Sequence, residues 1–600
     1  MSGTPSSEAL KPPAGLRAGQ VRDFLFFALA ATASMSVPLL LPLTAYYLNL
    51  FMQASTYAVA VLGLTIVLGY TGQINLAQAA FFGLGAYSVA LGTASFGLPF
   101  WLALFGGLVI ASVAGALLGL TSLRLGGHYL AMVTISFQQI LTLVLTNWTS
   151  FTRGPDGVSG IVRPSLFGFS FADSGTYLAL CIGVLWVVGF CVWRLKQSKL
   201  GHAMQSVRDN ELAAEVVGVD TYRTKVTAFT LSALLGGLGG GLFAGGFTYI
   251  SPDQFSFAES VVFLTMVLLG GARSSFGAVL GTALLILLPE WLRFLKATYL
   301  ACYGGAVILI MVFMPEGIWG FWEAIRRRLS PPSAVRRRRV PLPLTFPEMR
   351  ENSSTILEVG QLSKHFGGLK AVDEVELSVR QNTVHALVGP NGSGKTTLLN
   401  LLSGIYKPTG GRILFNGEVV TRLQPHERGR RGIGRTFQNI RLFNGMSVFD
   451  NVLLGAERLG NDQGARAAGL EQHALSALDF VGLAEFREYR IQSLAYGHQR
   501  LVEVARALAG SPKLLLLDEP GAGLNHVEKD ALVELLKRLK GHGITIVVID
   551  HDMSLVEQVA DHITVLNFGR HIADGPPSEV LNNPEVVAAY LGKGMTYAPP

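Results

Sequence analysis

Six hundred residues exceed what a single hydrophobic core accommodates, so the chain must divide into domains or carry a large membrane part. Half of the residues are hydrophobic, only 15% are charged and the mean hydropathy is +0.40, which excludes an ordinary soluble protein. The net charge of +7 is uneven: residues 1–340 hold 22 Lys and Arg against 13 Asp and Glu, the remainder 26 against 28. The basic excess thus lies in the apolar half, where it marks cytoplasmic loops rather than a nucleic-acid surface. Cys181, Cys191 and Cys302 sit in apolar runs, with neither metal-ligand spacing nor a disulfide framework.

In chain order, residues 1–22 are rich in Pro and Ser and carry Lys11, Arg17 and Arg22, as in a disordered cytoplasmic lead. The run from Phe24 to about Leu41 lacks a small-residue cleavage site and further apolar runs follow at once, so a retained helix is expected, not a signal peptide. Runs of bilayer length, about 20 residues, recur near 48–69, 74–97, 99–123, 129–147, 176–194, 226–250, 257–273, 276–292 and 298–314. The short pair around Gly270-Gly271 reads either as two crossings or as one helix broken at the glycines.

Arg194, Lys196, Lys199, Arg208, Arg223 and Lys225 crowd one loop, and Arg326 to Arg328 and Arg336 to Arg339 follow the last run. Both regions are expected in the cytoplasm. The second region, with Pro331, Pro332, Pro341 and Pro343, reads as a linker, either solvated or lying on anionic lipid headgroups. The small residues of 235–241 suit close helix packing. Gln53, Asn75, Gln78, Gln138, Gln139 and Glu259 are polar groups in or near spans, expected to line a bundle interior or pathway; Glu259 fits a helix end equally well.

From Ile356 the pattern becomes that of an α/β domain, with strand-like runs at 384–388, 412–415, 514–518 and 544–549. The first leads into Gly389-Pro390-Asn391-Gly392-Ser393-Gly394-Lys395-Thr396-Thr397 and then an apolar helix, which is G-x-x-x-x-G-K-T in its strand–loop–helix context. Such a loop turns backbone N–H groups onto the phosphates of a nucleotide, Lys395 reaches the β- and γ-phosphates, and the Thr396 hydroxyl helps hold Mg²⁺. Leu514 to Leu517 end in Asp518-Glu519: Asp518 is expected to assist Mg²⁺ through water, and Glu519 to polarise the attacking water as general base. His551, just past another buried strand, is placed to contact the γ-phosphate and that water.

Leu494-Ala495-Tyr496-Gly497-His498-Gln499-Arg500 resembles the LSGGQQR signature of the ABC-transporter ATPases and precedes Asp518 by the family's spacing. Gln438 in Arg435-Thr436-Phe437-Gln438 matches the Q-loop glutamine, which implies a place at the Mg²⁺ ion and the attacking water. Ala522-Gly523-Leu524-Asn525 resembles the D-loop, His551 the H-loop, and Phe366 the aromatic residue stacked on adenine. In that family ATP lies between the phosphate loop of one ATPase domain and the signature of another, so one copy of each motif implies a second ATPase domain elsewhere. Ala495 stands for the signature serine, Tyr496 for its first glycine and His498 for its glutamine. The implied composite site works, at reduced strength if anything, because Gly497 and a helix N-terminus remain.

Phe366-Gly367-Gly368-Leu369, Leu494-Ala495-Tyr496-Gly497 and Asn582-Asn583-Pro584-Glu585-Val586 are similar to the G-type ATPase of branched-chain amino-acid importers. Gly69 to Leu76, Gly154 to Gly160 and Tyr249 to Asp253 are similar to the M-type permease of the same system. Leu212-Ala213-Ala214-Glu215-Val216-Val217-Gly218, within the basic loop 195–225, resembles the EAA-x-x-x-G coupling loop, with leucine at its glutamate position.

The fold class expected is multi-domain: a helical transmembrane permease of about 8–10 spans joined to an α/β P-loop ABC ATPase. Its expected divisions are a lead 1–22, a permease 23–325, a basic linker 326–355 and an ATP-binding domain 356–600. The resemblance implies an ATP-driven importer of branched-chain amino acids in a bacterial inner membrane, its ATPase cytoplasmic, with ATP and Mg²⁺ as cofactors and no nucleic-acid partner. Implied partners are membrane lipid, an extracytoplasmic solute-binding protein, and either H-type permease and F-type ATPase chains or a second copy. An importer of urea or short amides shares the permease pattern, and an ABC exporter half-transporter shares the fusion of permease and ATPase.

Overall fold

The computed structural model describes residues 27–38, 40, 44–122, 128–329, 354–458 and 467–591, so the lead 1–22 and most of the basic linker lie outside it. The chain forms two compact units, one of residues 1–204 and 222–334, the other of 205–221 and 335–600. The segment 205–221 interrupts the apolar half in sequence yet belongs with the second unit.

The first unit is helical: α1 (Phe27–Pro38), α2 (Ala45–Tyr70), α3 (Gln78–Ala94), α4 (Phe100–Ser122), α5 (His128–Asn147), α6 (Ser174–Lys196), α7 (Lys199–Asp209), α8 (Glu211–Val217), α9 (Thr221–Phe247), α10 (Phe257–Gly270), α11 (Ser275–Trp291), α12 (Tyr299–Phe313) and α13 (Gly317–Leu329), of which α8 and the end of α7 belong to the second unit. Asp173 caps α6 by accepting from the amides of Gly175 and Thr176, and Arg194 and Lys196 lie in its last turn, where they suit the helix dipole. Among the described residues six helices are long and apolar enough to cross a bilayer, or seven if the bent pair Tyr303–Phe313 and Gly317–Arg326 is one span. The sequence suggested more because several apolar runs form shorter helices; the 14 residues of α10 rise only about 21 Å against a hydrocarbon core of about 30 Å.

Backbone-to-backbone contact between helices organises this unit. A Cβ on Gly240 of α9 would collide with the carbonyl oxygen of Phe82 in α3, and one on Gly85 of α3 with that of Gly237 in α9. Around Gly270-Gly271 the chain is not one broken helix: α10 and α11 form an antiparallel hairpin, with Gly270 against Gly277 and Met266 against Gly281. Gln78 is fully buried and binds across helices, donating to Ala60 O at 2.7 Å and accepting from Ser232 Oγ at 2.9 Å. Gln138 likewise donates to Phe255 O at 2.7 Å and accepts from Ser260 Oγ at 3.1 Å. Both glutamines therefore serve as interhelical ties, while Glu259 lies part-buried in the first turn of α10.

The second unit holds two sheets. The antiparallel one has the order β2 (Leu369–Arg380), β1 (Thr355–Phe366), β4 (Gly410–Phe415), β5 (Glu418–Val419). The other has the order β6 (Ile433–Arg435), β7 (Leu514–Asp518), β8 (Thr545–Ile549), β3 (Val384–Val388), β9 (His562–Asn567), β10 (Arg570–Gly575), parallel except for the β9–β10 hairpin. Its central strands are buried on both faces: Leu515 and Leu517 enter one core, Leu514 and Leu516 the other.

Gly240→Leu is expected to break the α3–α9 contact and destabilise the first unit by several kcal/mol, about 2 or more. Gly106→Ala, where a Cβ meets nothing within 4 Å, is expected to leave stability unchanged. Thermal unfolding of the detergent-solubilised protein distinguishes the two; equal effects would contradict the packing account.

Candidate functional site

Three parallel strands assemble the site. Leu387 of β3 and Asp518 of β7 both lie opposite Ile549 of β8, so the carboxyl ends of these strands finish level. The loop 389–394, the Asp518-Glu519 pair and the Asp550-His551 pair therefore emerge at one edge. The phosphate-type loop turns at Gly394, whose φ is +99° and where a Cβ would run into the carbonyl oxygen of Ala371. It opens directly into α14 (Lys395–Leu402).

Lys395 Nζ donates to Gly389 O at 2.7 Å and Pro390 O at 2.9 Å, with Ser393 Oγ at 3.4 Å. Burial lowers its pKa, and the carboxylates of Glu519 and Asp518 oppose that shift. Asn391, Gly392 and Thr396 are exposed, Ser393 is buried, and Pro390 and Thr397 are intermediate.

Asp518 and Arg435 are both 2% exposed and pair at 3.4 Å. Arg435 also donates to Ser403 Oγ at 2.5 Å and Leu399 O at 3.2 Å, tying the end of β6 to α14. Burial raises the Asp518 pKa while Arg435 pulls it down; burial draws Arg435 itself to about 10. The second Asp518 oxygen, Oδ1, is buried without a hydrogen-bond partner. A desolvated carboxylate oxygen of this kind, near a helix that begins Lys395-Thr396, fits an Mg²⁺ ion.

Glu519 brings the expected catalytic residues together. Gln438 Nε2 donates to Glu519 Oε2 at 2.8 Å, and His551 Nδ1 lies 3.8 Å from the same oxygen. Glu519 adopts φ +46°, a left-handed backbone that costs a non-glycine residue about 1 kcal/mol or more. Phe366 ends β1 with an exposed ring, edge-on to Tyr406 at 5.4 Å and covered by the Lys364 ammonium at 5.0 Å. Tyr406, an isolated aromatic between elements, carries no sequence pattern that marks it as the neighbour of Phe366.

The signature residues start α15 (Tyr496–Ala509). Ala495 is its N-cap and supplies no side-chain cap, so the first-turn amides there are met by no side chain of that residue. Tyr496 is 45% exposed, and its ring lies 2.9 Å from where a Cβ on Gly523 would stand. Gly497 packs closely on Glu528, His498 lies 5.0 Å from the Phe486 ring, and Gln499 Nε2 donates to Leu494 O at 2.9 Å.

Helix α8 rests in a groove of this same unit. Asn210 caps it, accepting from Ala213 N at 2.9 Å, and Gly218 ends it in the left-handed conformation. Ala213, Ala214, Val216 and Val217 are buried with Phe437, Phe443 and Met446, while Leu212 packs at the margin. Asp209 accepts from Gly445 N at 2.6 Å, and Gly429 approaches the carbonyl oxygen of Val216 too closely for a side chain. The groove thus includes Phe437, the residue preceding Gln438.

His385 of β3, 1% exposed, contacts Thr564 Oγ1 at 2.8 Å and lies 5.0 Å from the His562 ring. Burial lowers its pKa from 6.5 to about 4, reinforced by His562 and opposed by Asp574. Above 6.5 it is neutral whether folded or unfolded; between 6.5 and about 4 the unfolded chain binds the proton preferentially. Stability of the ATPase unit is expected to fall across that window by on the order of 3 kcal/mol. Denaturant titration at several pH values checks this, and His385→Asn should flatten the fall.

The first unit matches the family model of the branched-chain amino acid transport system / permease component over residues 46–314. The second matches the ABC transporter model over 372–522 and the branched-chain amino acid ATP-binding cassette transporter model over 570–595. The chain is 43% identical over 253 residues to the high-affinity branched-chain amino acid transport ATP-binding protein BraF of Pseudomonas aeruginosa, covering 40% of this chain and 99% of that protein. It is 36% identical over 285 residues to the high-affinity branched-chain amino acid transport system permease protein LivM of Escherichia coli, covering 44% of this chain and 67% of that protein. Among solved structures it resembles an ATP-binding cassette of an ABC transporter in its ADP conformation, at 33% identity, with a TM-score of 0.37 and coverage of 40% of this chain and all of that one.

Proposed function

The chain belongs to the branched-chain amino acid transport family of ABC transporters, with permease and ATP-hydrolysing component in one polypeptide, and on that premise we propose that it is a subunit of an importer for branched-chain, aliphatic amino acids. The observation that carries the importer reading is the seating of α8, drawn from the permease half of the sequence, beside Phe437 and hence beside Gln438. Movement of α8 is the coupling between hydrolysis and alternating access in the membrane helices.

The loop 389–397 and Lys395 bind the phosphates of ATP, and Phe366 stacks on its base. Thr396, Asp518 and Gln438 would hold Mg²⁺, which when bound screens phosphate charge and polarises the γ-phosphate. Glu519 is the general base for the attacking water; Gln438 holds its carboxylate, and His551 faces the same oxygen and contacts the γ-phosphate. Leu494 to Gln499 close over the ATP of a partner domain. Partners are therefore a second ATPase domain and a second permease, supplied by H-type and F-type chains or by a second copy, and an extracytoplasmic solute-binding protein. The assembly sits in a bacterial inner membrane among its lipids, with the ATPase cytoplasmic, where the arginine-rich loops belong.

Glu519→Gln should leave ATP binding intact and lower turnover of reconstituted assemblies by about 10² or more; sustained hydrolysis at this site would remove the base assignment. Deleting 212–218 should abolish uptake while both units still fold, and surviving uptake would sink the coupling role. Uptake into vesicles is expected for leucine, isoleucine and valine. Uptake of urea or short amides in their place would overturn the solute assignment.

A further inference from the structure

α15 carries three charges at intervals of three residues, Arg500, Glu503 and Arg506, each at most 2% exposed, amid an otherwise apolar run. Glu503 Oε2 lies 3.3 Å from Arg500, and Oε1 lies 3.6 Å from Arg506. Glu503 also accepts from the amides of Phe437 at 3.4 Å and Arg441 at 3.3 Å. Burying three ions costs more than their pairing alone returns, and apolar residues of similar volume would pack at least as stably. The reach of these side chains suggests what the charges provide.

Arg500 donates to Phe437 O at 2.5 Å, Gln438 O at 2.9 Å and Glu519 O at 3.2 Å. Its guanidinium thus holds the backbones of the two residues whose side chains meet at 2.8 Å. Arg506 donates to Arg441 O at 2.7 Å and lies over the Phe443 ring at 4.8 Å. Phe443 is part of the bed of α8, and Arg441 reaches the α8 cap Asn210 at 3.5 Å. One end of the triad grips the base and its glutamine; the other grips the seat of α8.

We propose that Arg500, Glu503 and Arg506 form a positioning relay that ties α8 and the segment 437–445 to the backbone of Glu519, so that the base is aimed only when α8 is correctly seated. None of the three is argued to touch nucleotide, so they are positioning residues. The proposal rests on the reading of Glu519 as base and of α8 as coupling helix. A relay of this kind needs the planar fork of arginine, because the ammonium of lysine cannot span the same carbonyls at once.

The test uses the full chain in its transport-competent assembly. Arg500→Lys is expected to keep the KM for ATP within about two-fold and to lower kcat by about ten- to a hundred-fold, the scale of a misplacement of a catalytic group by up to about 1 Å. Combined with Asn210→Ala, its effect on kcat should be less than multiplicative, whereas independent sites multiply. Arg506→Lys, which loosens the α8 end and leaves the Glu519 end bonded, should lower kcat less than Arg500→Lys does while also lowering solute moved per ATP. Wild-type kcat in Arg500→Lys, or effects that multiply with Asn210→Ala, would overturn the relay. If Arg500→Lys does not assemble, unchanged solute per ATP in Arg506→Lys overturns it instead. Failure of the underlying base assignment shows separately, as hydrolysis that survives Glu519→Gln.

Discussion

The level finish of β3, β7 and β8 is the constraint on which the chemistry of this protein depends. Parallel pairing sets Leu387 and Asp518 opposite Ile549, so a phosphate-type loop, a carboxylate pair and a histidine leave the sheet at one edge. Burial of the strand faces holds that register, because a slip of one residue would exchange Leu514 and Leu516 with Leu515 and Leu517 between the two cores. The strained backbone at Glu519 persists because its amide donates to Ile549 O at 2.8 Å, on the neighbouring strand.

Around this edge the second unit uses buried arginines where a simpler core would use leucine. Arg435 ties Asp518 to the end of the phosphate-loop helix, and Arg500 ties the signature helix to Gln438 and Glu519. Each guanidinium spans several oxygen acceptors that belong to different elements, which no apolar side chain does. At the start of the signature helix a bulky residue replaces a small one: Tyr496 lies against Gly523, and the missing Cβ at that glycine is what admits the ring.

The first unit meets a different solvent with a different device. Lipid offers no hydrophobic drive between helices, so association relies on close backbone approach and on polar ties. Gly85 and Gly240 provide the approach between α3 and α9, while Gln78 and Gln138 provide the ties. The large apolar side chains of α4 that remain exposed, such as Phe105 and Leu117, are the complement of that design, a surface suited to acyl chains.

By itself the sequence determined the elements whose chemistry is local. A glycine loop between a buried strand and a helix, an acidic pair ending four leucines, and long apolar runs are legible because each motif depends on neighbours in the chain. The convergence of Gln438 and His551 on Glu519 was legible too, through the resemblance that aligned them. Tertiary structure alone decided the rest. No local motif shows that Arg435, Arg500, Glu503 and Arg506 are buried, although the three-residue spacing of the last three within an apolar helix is a signal of it. The hairpin of α10 and α11 and the membership of 205–221 in the ATPase unit rest on contacts between residues far apart in sequence. A buried charge is tolerable only where distant backbone groups converge on it, and no local pattern records that convergence.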